Sequence, residues 1–308
     1  RYSATVDSLD SAFNFRSNDE SKFSWEAMGR REHILESNAQ FDQLERLGYR
    51  FNIYQTDHLD LCQSNPNNLD RCWRYAQPNI DSLRQVKSRQ MRSRMLVSVL
   101  LKQSSLLSEL LSSQHWLFGQ SVAVHDPRVF SELGEDIIKQ PKGRFFFAHA
   151  LIPHAPFTFL HDCSINYESD RMFRVAMIDN EPKQNESVYE ARVNLNFEQM
   201  ECALLSLQKI FDDMRAAEIF DDSIIVVHGD HGPMIAKYLP RPWNLDYLTP
   251  VEYRAHYSTL FAVKLPYSEF SVDNRALPLS ALLEGVSKEV RQYVEGRGDL
   301  QPASSLLQ

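Results

Sequence analysis

Four cysteines in 308 residues are too few for a disulfide scaffold. None stands in a Cys-x-x-Cys pair or at a Cys/His ligand spacing, which argues against a structural zinc cluster. Long apolar runs are also missing. The most apolar stretch, Met95 to Leu111, contains Lys102, Glu109 and several serines, too short and too polar for a membrane span. Positive charge is scarce: 33 Lys and Arg stand against 41 Asp and Glu, a formal charge of -8, which argues against a general nucleic-acid binder. The one basic concentration, Arg84 to Arg94, reads as a solvated helix face, with contact to anionic lipid headgroups as the alternative. The chain opens at Arg1 without methionine, a basic leader or an apolar leader, so an upstream signal or anchor is expected. Neither repeats nor a Pro- or Gly-rich linker divides the chain, so one domain over 1–308 is expected.

What is there is an alternation of helical and strand signals. Ser37 to Leu47 has apolar residues at helical spacing, Gly48 is a natural stop, and RFNIYQT then reads as a strand. A long, interrupted helical pattern covers residues 80–113, and Pro127 to Lys139 forms an amphipathic helix behind Asp126 as N-cap. The apolar run Arg144 to Leu151 (RFFFAHAL) reads as a buried strand ending in a Pro-containing loop. Glu186 to Ala217 is a long helix, SIIVV (Ser223 to Val227) a further buried strand, and Tyr257 to Leu265 another, closed by Pro266. The expected class is therefore α/β: a mostly parallel central sheet with helices on both faces, joined by right-handed crossovers. Such sheets bind ligands at the carboxyl ends of their strands. Both polar clusters of the sequence, at His154 and at Asp230, fall at such ends.

Cys62 and Cys72 bracket a turn-rich segment whose length suits a small closed loop, although two free thiols fit as well. The pairing of Cys163 and Cys202 is open. The segment HGDHG sets Asp230 and His231 side by side where a buried strand runs out, and Gly232 lets the backbone turn. Carboxylate and imidazole together suit a divalent ion such as Zn²⁺ or Mn²⁺, whereas a turn aspartate beside a surface histidine is the plain alternative.

The stretch from Tyr189 to Gly232, a long helix followed by IFDDSIIVVHGDHG, resembles the alkaline phosphatase superfamily. The likeness is to its sulfatase-like, membrane-associated branch, which includes lipoteichoic acid synthases and phosphoethanolamine transferases. The resemblance implies an alkaline-phosphatase/sulfatase-like fold in which Asp230 and His231 bind the catalytic metal. FFFAHALIPHAPF resembles the family's strand and His-x-Pro-Phe loop, which implies that His154 contacts the substrate or a second metal. His149, inside the strand pattern, reads as a packing residue. YSATVDSLDSAF resembles the family's nucleophile segment and implies a metal-bound nucleophile at Thr5, with Ser8 and Asp7 also matching; Asp10 stands where many relatives carry proline.

The family's first acidic ligand precedes the nucleophile by several tens of residues, so the chain is expected to be an N-terminally truncated piece of a membrane-anchored protein at the extracytoplasmic, periplasmic face. No Cys-x-Pro-x-Arg or Ser-x-Pro-x-Arg occurs, which prefers an unmodified threonine over formylglycine. The expected function is a phospho-group transferase or hydrolase acting through a covalent threonine ester. Its substrate would be lipid- or glycan-linked and its cofactor Mn, Zn or Mg. A true sulfatase and a non-catalytic sulfatase-like ectodomain are the alternatives. His228, His256 and Arg254 are further site candidates without assigned roles.

Overall fold

The computed structural model describes residues 5–16, 33–34, 38–56, 59–62, 68–75, 128–154, 157, 159–164, 186–233, 235, 248–266 and 268–296. Alternation along RFNIYQT gives β2 (Arg50–Thr56) two working faces, with Phe51 and Ile53 entering one apolar cluster and Tyr54 the opposite one. Strand β2 is the middle of a parallel sheet ordered β4-β2-β5, flanked by β4 (Leu69–Tyr75) and β5 (Arg144–Ala148). The FFF run of β5 divides in the same way: Phe145 and Phe147 face one cluster, Phe146 the other. A bulge opposite Phe51 shifts the register, so that Leu69 pairs with Phe51 but Arg71 with Asn52. A two-residue parallel pair, β1 (His33–Ile34) with β3 (Leu59–Asp60), completes the parallel part among the described residues.

Helices cover both faces, as α/β reasoning requires. On the Phe51 face lie α1 (Thr5–Phe13), α2 (Ala39–Arg46) and α6 (Leu279–Val294), contributing Leu9, Phe13, Phe41, Leu44, Leu283 and Val286 to a cluster with Phe145 and Phe147. Phe41 sits in its middle, with its ring 5.2 Å from that of Phe51 and 5.4 Å from that of Phe145. Helix α2 starts where Asn38 accepts a hydrogen bond from the Phe41 N–H at 3.0 Å. The Tyr54 face is covered by α3 (Arg128–Lys139) and α4 (Glu186–Ala216), through Val129, Phe130, Cys202, Ile210 and Met214.

The chain leaves α4 for β6 (Ile225–His228) and returns, through α5 (Pro250–Tyr257), in β7 (Phe261–Lys264). Here crossover reasoning fails: β6 and β7 pair antiparallel, His228 opposite Phe261. The Gly229 N–H donates to the Leu260 carbonyl at 3.0 Å, so β7 starts at the end where β6 stops and must run back. Val226, Phe261 and Val263 carry this ladder into the Phe41 cluster.

Both cysteine pairs are disulfides, Cys62–Cys72 and Cys163–Cys202, with Cα separations of 6.1 and 4.8 Å. No helix among the described residues is long and apolar enough to cross a membrane. The helical pattern expected over 80–113, the basic run Arg84 to Arg94, and Pro156 lie outside the described residues.

Candidate functional site

Helix α1 begins at Thr5 because Leu9, Ala12 and Phe13, at helical spacing, bury one side against the aromatic cluster. Residues three apart on a helix share a face. Thr5 and Ser8 therefore point the same way, and both meet Asp230, 225 and 222 residues on in the sequence. The Thr5 hydroxyl donates to the Asp230 carboxylate, and Ser8 Oγ donates to the Asp230 carbonyl. The T-x-x-S spacing thus grips one residue twice, by its side chain and by its backbone.

Asp230 follows β6 by two residues and is largely buried. Burial pushes its pKa up, but His231, the Thr5 hydroxyl and His149 together outweigh burial and hold the carboxyl below the usual aspartate range. Its Oδ2 is buried and accepts no hydrogen bond among the described residues, with His231 Nε2 3.4 Å away. His231 Nδ1 donates to the Gly232 carbonyl at 2.8 Å, which fixes the ring so that Nε2 is the nitrogen facing Asp230. Carboxylate, imidazole and hydroxyl are the donors a divalent cation of borderline hardness takes. Asp230, His231 and Thr5 can supply one corner of such a site. Among the described residues no group of three or more His, Cys, Asp or Glu converges to close it.

The two glycines of HGDHG are there for space. A Cβ on Gly232 would collide with the Ala255 carbonyl oxygen and stand 2.6 Å from that of His256; one on Gly229 would collide with the Thr259 hydroxyl. Gly232 is needed for the close approach of this turn to α5. Its N–H donates to the His256 carbonyl at 2.9 Å, which seats the Asp230 turn on the end of α5.

The other sequence candidates divide. His228 ends β6 with its ring stacked on Phe261; burial lowers its pKa, against the opposing Gly229 carbonyl and Asp230, which keeps it neutral. His256 is buried on α5 and reaches the site turn through its carbonyl. Arg254 stands exposed on α5. His154 is exposed on the loop after β5, and its backbone is held by a bond from its N–H to the Leu151 carbonyl (2.6 Å) and one from Gln199 Nε2 to its carbonyl (2.7 Å).

Two residues escaped sequence reasoning. His149, taken as a packing histidine, lies at the carboxyl end of β5, where its N–H donates to the Tyr54 carbonyl (2.8 Å), and its charge bears on Asp230. The signal was its place at a strand end, the same criterion that singled out Asp230. Gln199 carried no signal, since a glutamine in a helix is usually solvated.

No family model matches the chain, and no curated protein matches it. Solved structures do. One, described as Ps i-CgsB in complex with k-i-k-neocarrahexaose, superposes with a TM-score of 0.42 at 12% identity, covering 87% of this chain and 54% of that one. This chain spans about half the length of that protein.

Proposed function

We propose that the chain is a sulfatase-like, metal-dependent hydrolase or transferase of phosphate- or sulfate-type esters, with Thr5 as nucleophile and Asp230 and His231 as metal ligands. The observation that carries this reading is the Thr5 hydroxyl set on the ionised Asp230 carboxylate beside His231, at the first residue of a helix. A threonine hydroxyl is a poor nucleophile near neutral pH. A divalent Mn, Zn or Mg ion supplies the remedy when bound, favouring the alkoxide and neutralising charge on the ester.

The chain's own residues do the rest. Asp230 receives the hydrogen bond of the Thr5 hydroxyl and orients its oxygen. The first turn of α1 turns the positive end of its dipole to an arriving anion. Thr5 Oγ1 bonds to phosphorus as the ester's leaving oxygen departs with its electron pair and takes a proton. Water or an acceptor hydroxyl then displaces Thr5, which recovers its proton. His154, exposed on the loop after β5, serves in this reading as a hydrogen-bond donor to the non-bridging oxygens. An acidic ligand of the kind the resemblance implies would complete the coordination.

The two disulfides support an oxidising, extracytoplasmic location, and a membrane-anchored parent with a lipid- or glycan-linked substrate belongs to the same reading. The test is turnover of bis(p-nitrophenyl) phosphate with added Mn²⁺ or Zn²⁺, followed by peptide mapping. The expected result is release of p-nitrophenol, a phosphoryl adduct on Thr5, and loss of both in Thr5→Ala and Asp230→Ala. Turnover confined to an aryl sulfate would favour a true sulfatase. A non-catalytic ectodomain is the second reading, favoured by the absence of a closed ligand set among the described residues. Metal-independent binding with no turnover of either ester would establish it.

A further inference from the structure

We infer that Gln199 is the positioning residue of the His154 loop, an inference that rests on the reading of His154 as a substrate contact. Gln199 lies on α4 with its side chain fully buried, an unusual place for an amide unless every polar atom is used. Both ends of the amide are used, and both on one loop. Nε2 donates to the His154 carbonyl at 2.7 Å, and Oε1 accepts from the Phe159 N–H at 3.2 Å. The side chain spans the two ends of a five-residue step and fixes where His154 leaves the backbone. Asn196, almost one helical turn earlier, adds a bond from Nδ2 to the Pro153 carbonyl at 3.3 Å. On the far side of the loop Phe159 is buried, and Cys163 is joined to Cys202, three residues beyond Gln199.

The arrangement makes α4 a template for the loop. Residues 196, 199 and 202 recur on one helical face, and their partners, Pro153, His154 with Phe159, and Cys163, recur in the same order along the loop. A loop that carries a contact residue on an exposed side chain needs such support, because misplacing a contact group by about 1 Å can cost on the order of 100-fold in rate. Gln199 touches no reacting atom. It acts through the His154 backbone.

The test compares Gln199→Met, which keeps shape and removes both bonds, with Gln199→Glu, which keeps the acceptor for Phe159 and removes the donor to His154. Thermal melting confirms folding of each. Amide hydrogen exchange of the metal-free chain reads the loop: Phe159 should exchange about tenfold faster in Gln199→Met, and near the parent rate in Gln199→Glu. With bis(p-nitrophenyl) phosphate and Mn²⁺, both variants should lower kcat/KM about tenfold, and the double variant with His154→Ala should be no worse than His154→Ala alone. Unchanged Phe159 exchange in Gln199→Met overturns the inference, as do additive losses in the double variant. Should His154→Ala keep full activity, the role given to His154 fails, and the exchange result alone decides whether Gln199 places the loop.

Discussion

The two faces of the sheet hold their helices by different means. On one, Phe13, Phe41, Phe51, Phe145 and Phe147 stack edge to face and set α1, with Thr5, by apolar packing. On the other, polar and covalent ties do much of the work. Tyr54 donates to Asp136 of α3, Arg71 pairs with Asp136 and Glu132 and lies over the Trp73 ring, and Cys163–Cys202 fastens the loop to α4. The lesson is a division of labour. The helix that carries Thr5, the proposed nucleophile, is positioned as a rigid body, and the loop that carries His154, the proposed contact residue, is positioned atom by atom.

The largest effect that would break the contrast is expected from Phe41→Ala, fully buried among four phenylalanine rings: a loss toward the upper end of roughly 3–5 kcal/mol in urea unfolding. A loss under about 1 kcal/mol would mean the aromatic face does not carry α1. Replacing Cys163 and Cys202 together by Ala should cost about 4 kcal/mol, and the same change at Cys62 and Cys72 about 3, because the sequence separations are 39 and 10 and loop-closure entropy grows with length. Equal losses from the two pairs would contradict that ordering.

Tyr54→Phe sharpens the comparison on a smaller scale. Burial first, and then the bond to Asp136, pushes the Tyr54 hydroxyl well above the usual tyrosine range. Removing it should cost roughly 1.5–3 kcal/mol, the worth of a hydrogen bond to a charged group, and leave Phe51-side packing intact. The smallest effect concerns His161, whose ring and N–H both contact Glu198 of α4 at 2.8 and 2.7 Å. The Glu198 hydrogen bond and charge raise the His161 pKa above the ordinary 6.5, so the tie is complete below pH 6.5 and is lost as pH rises through the raised value. An NMR titration should place the His161 midpoint above the ordinary 6.5 and lower it in Glu198→Gln; an unmoved midpoint would remove this tie from the account.

Much of the scaffold was legible in the sequence, and the physical reason is local. RFNIYQT reads as a strand behind a helix stop and RFFFA as an apolar buried one, and α3 and α4 follow from their helical periodicity. Strand β4 was hidden, because LDRCWRY alternates charged residues at a sheet edge, where Arg71 and Arg74 find Asp136 and Asp60 rather than water. Helix α6 was overlooked although Leu283, Val286 and Val290 recur at helical spacing. In the site, Asp230 and His231 were legible as strand-end residues and Thr5 through the resemblance of its segment, and the structure sets Thr5 and His231 against Asp230. The role of Ser8, the influence of His149 on Asp230, the pairing of Cys163 with Cys202 and the support from Gln199 were not. Each depends on how distant segments lie against one another, which no local pattern records.

The central claim is that Asp230, with His231 and Thr5, is a corner of a divalent-metal site. Calorimetric titration of the chain and of Asp230→Asn with MnCl₂ and ZnCl₂ tests it most directly, since Asn keeps the shape and removes the charge. The account predicts saturable binding to the parent chain, weakened at least about tenfold in Asp230→Asn, whose cooperative melting in the absence of metal confirms that it folds. Equal binding by both proteins, or none by the parent, would contradict it.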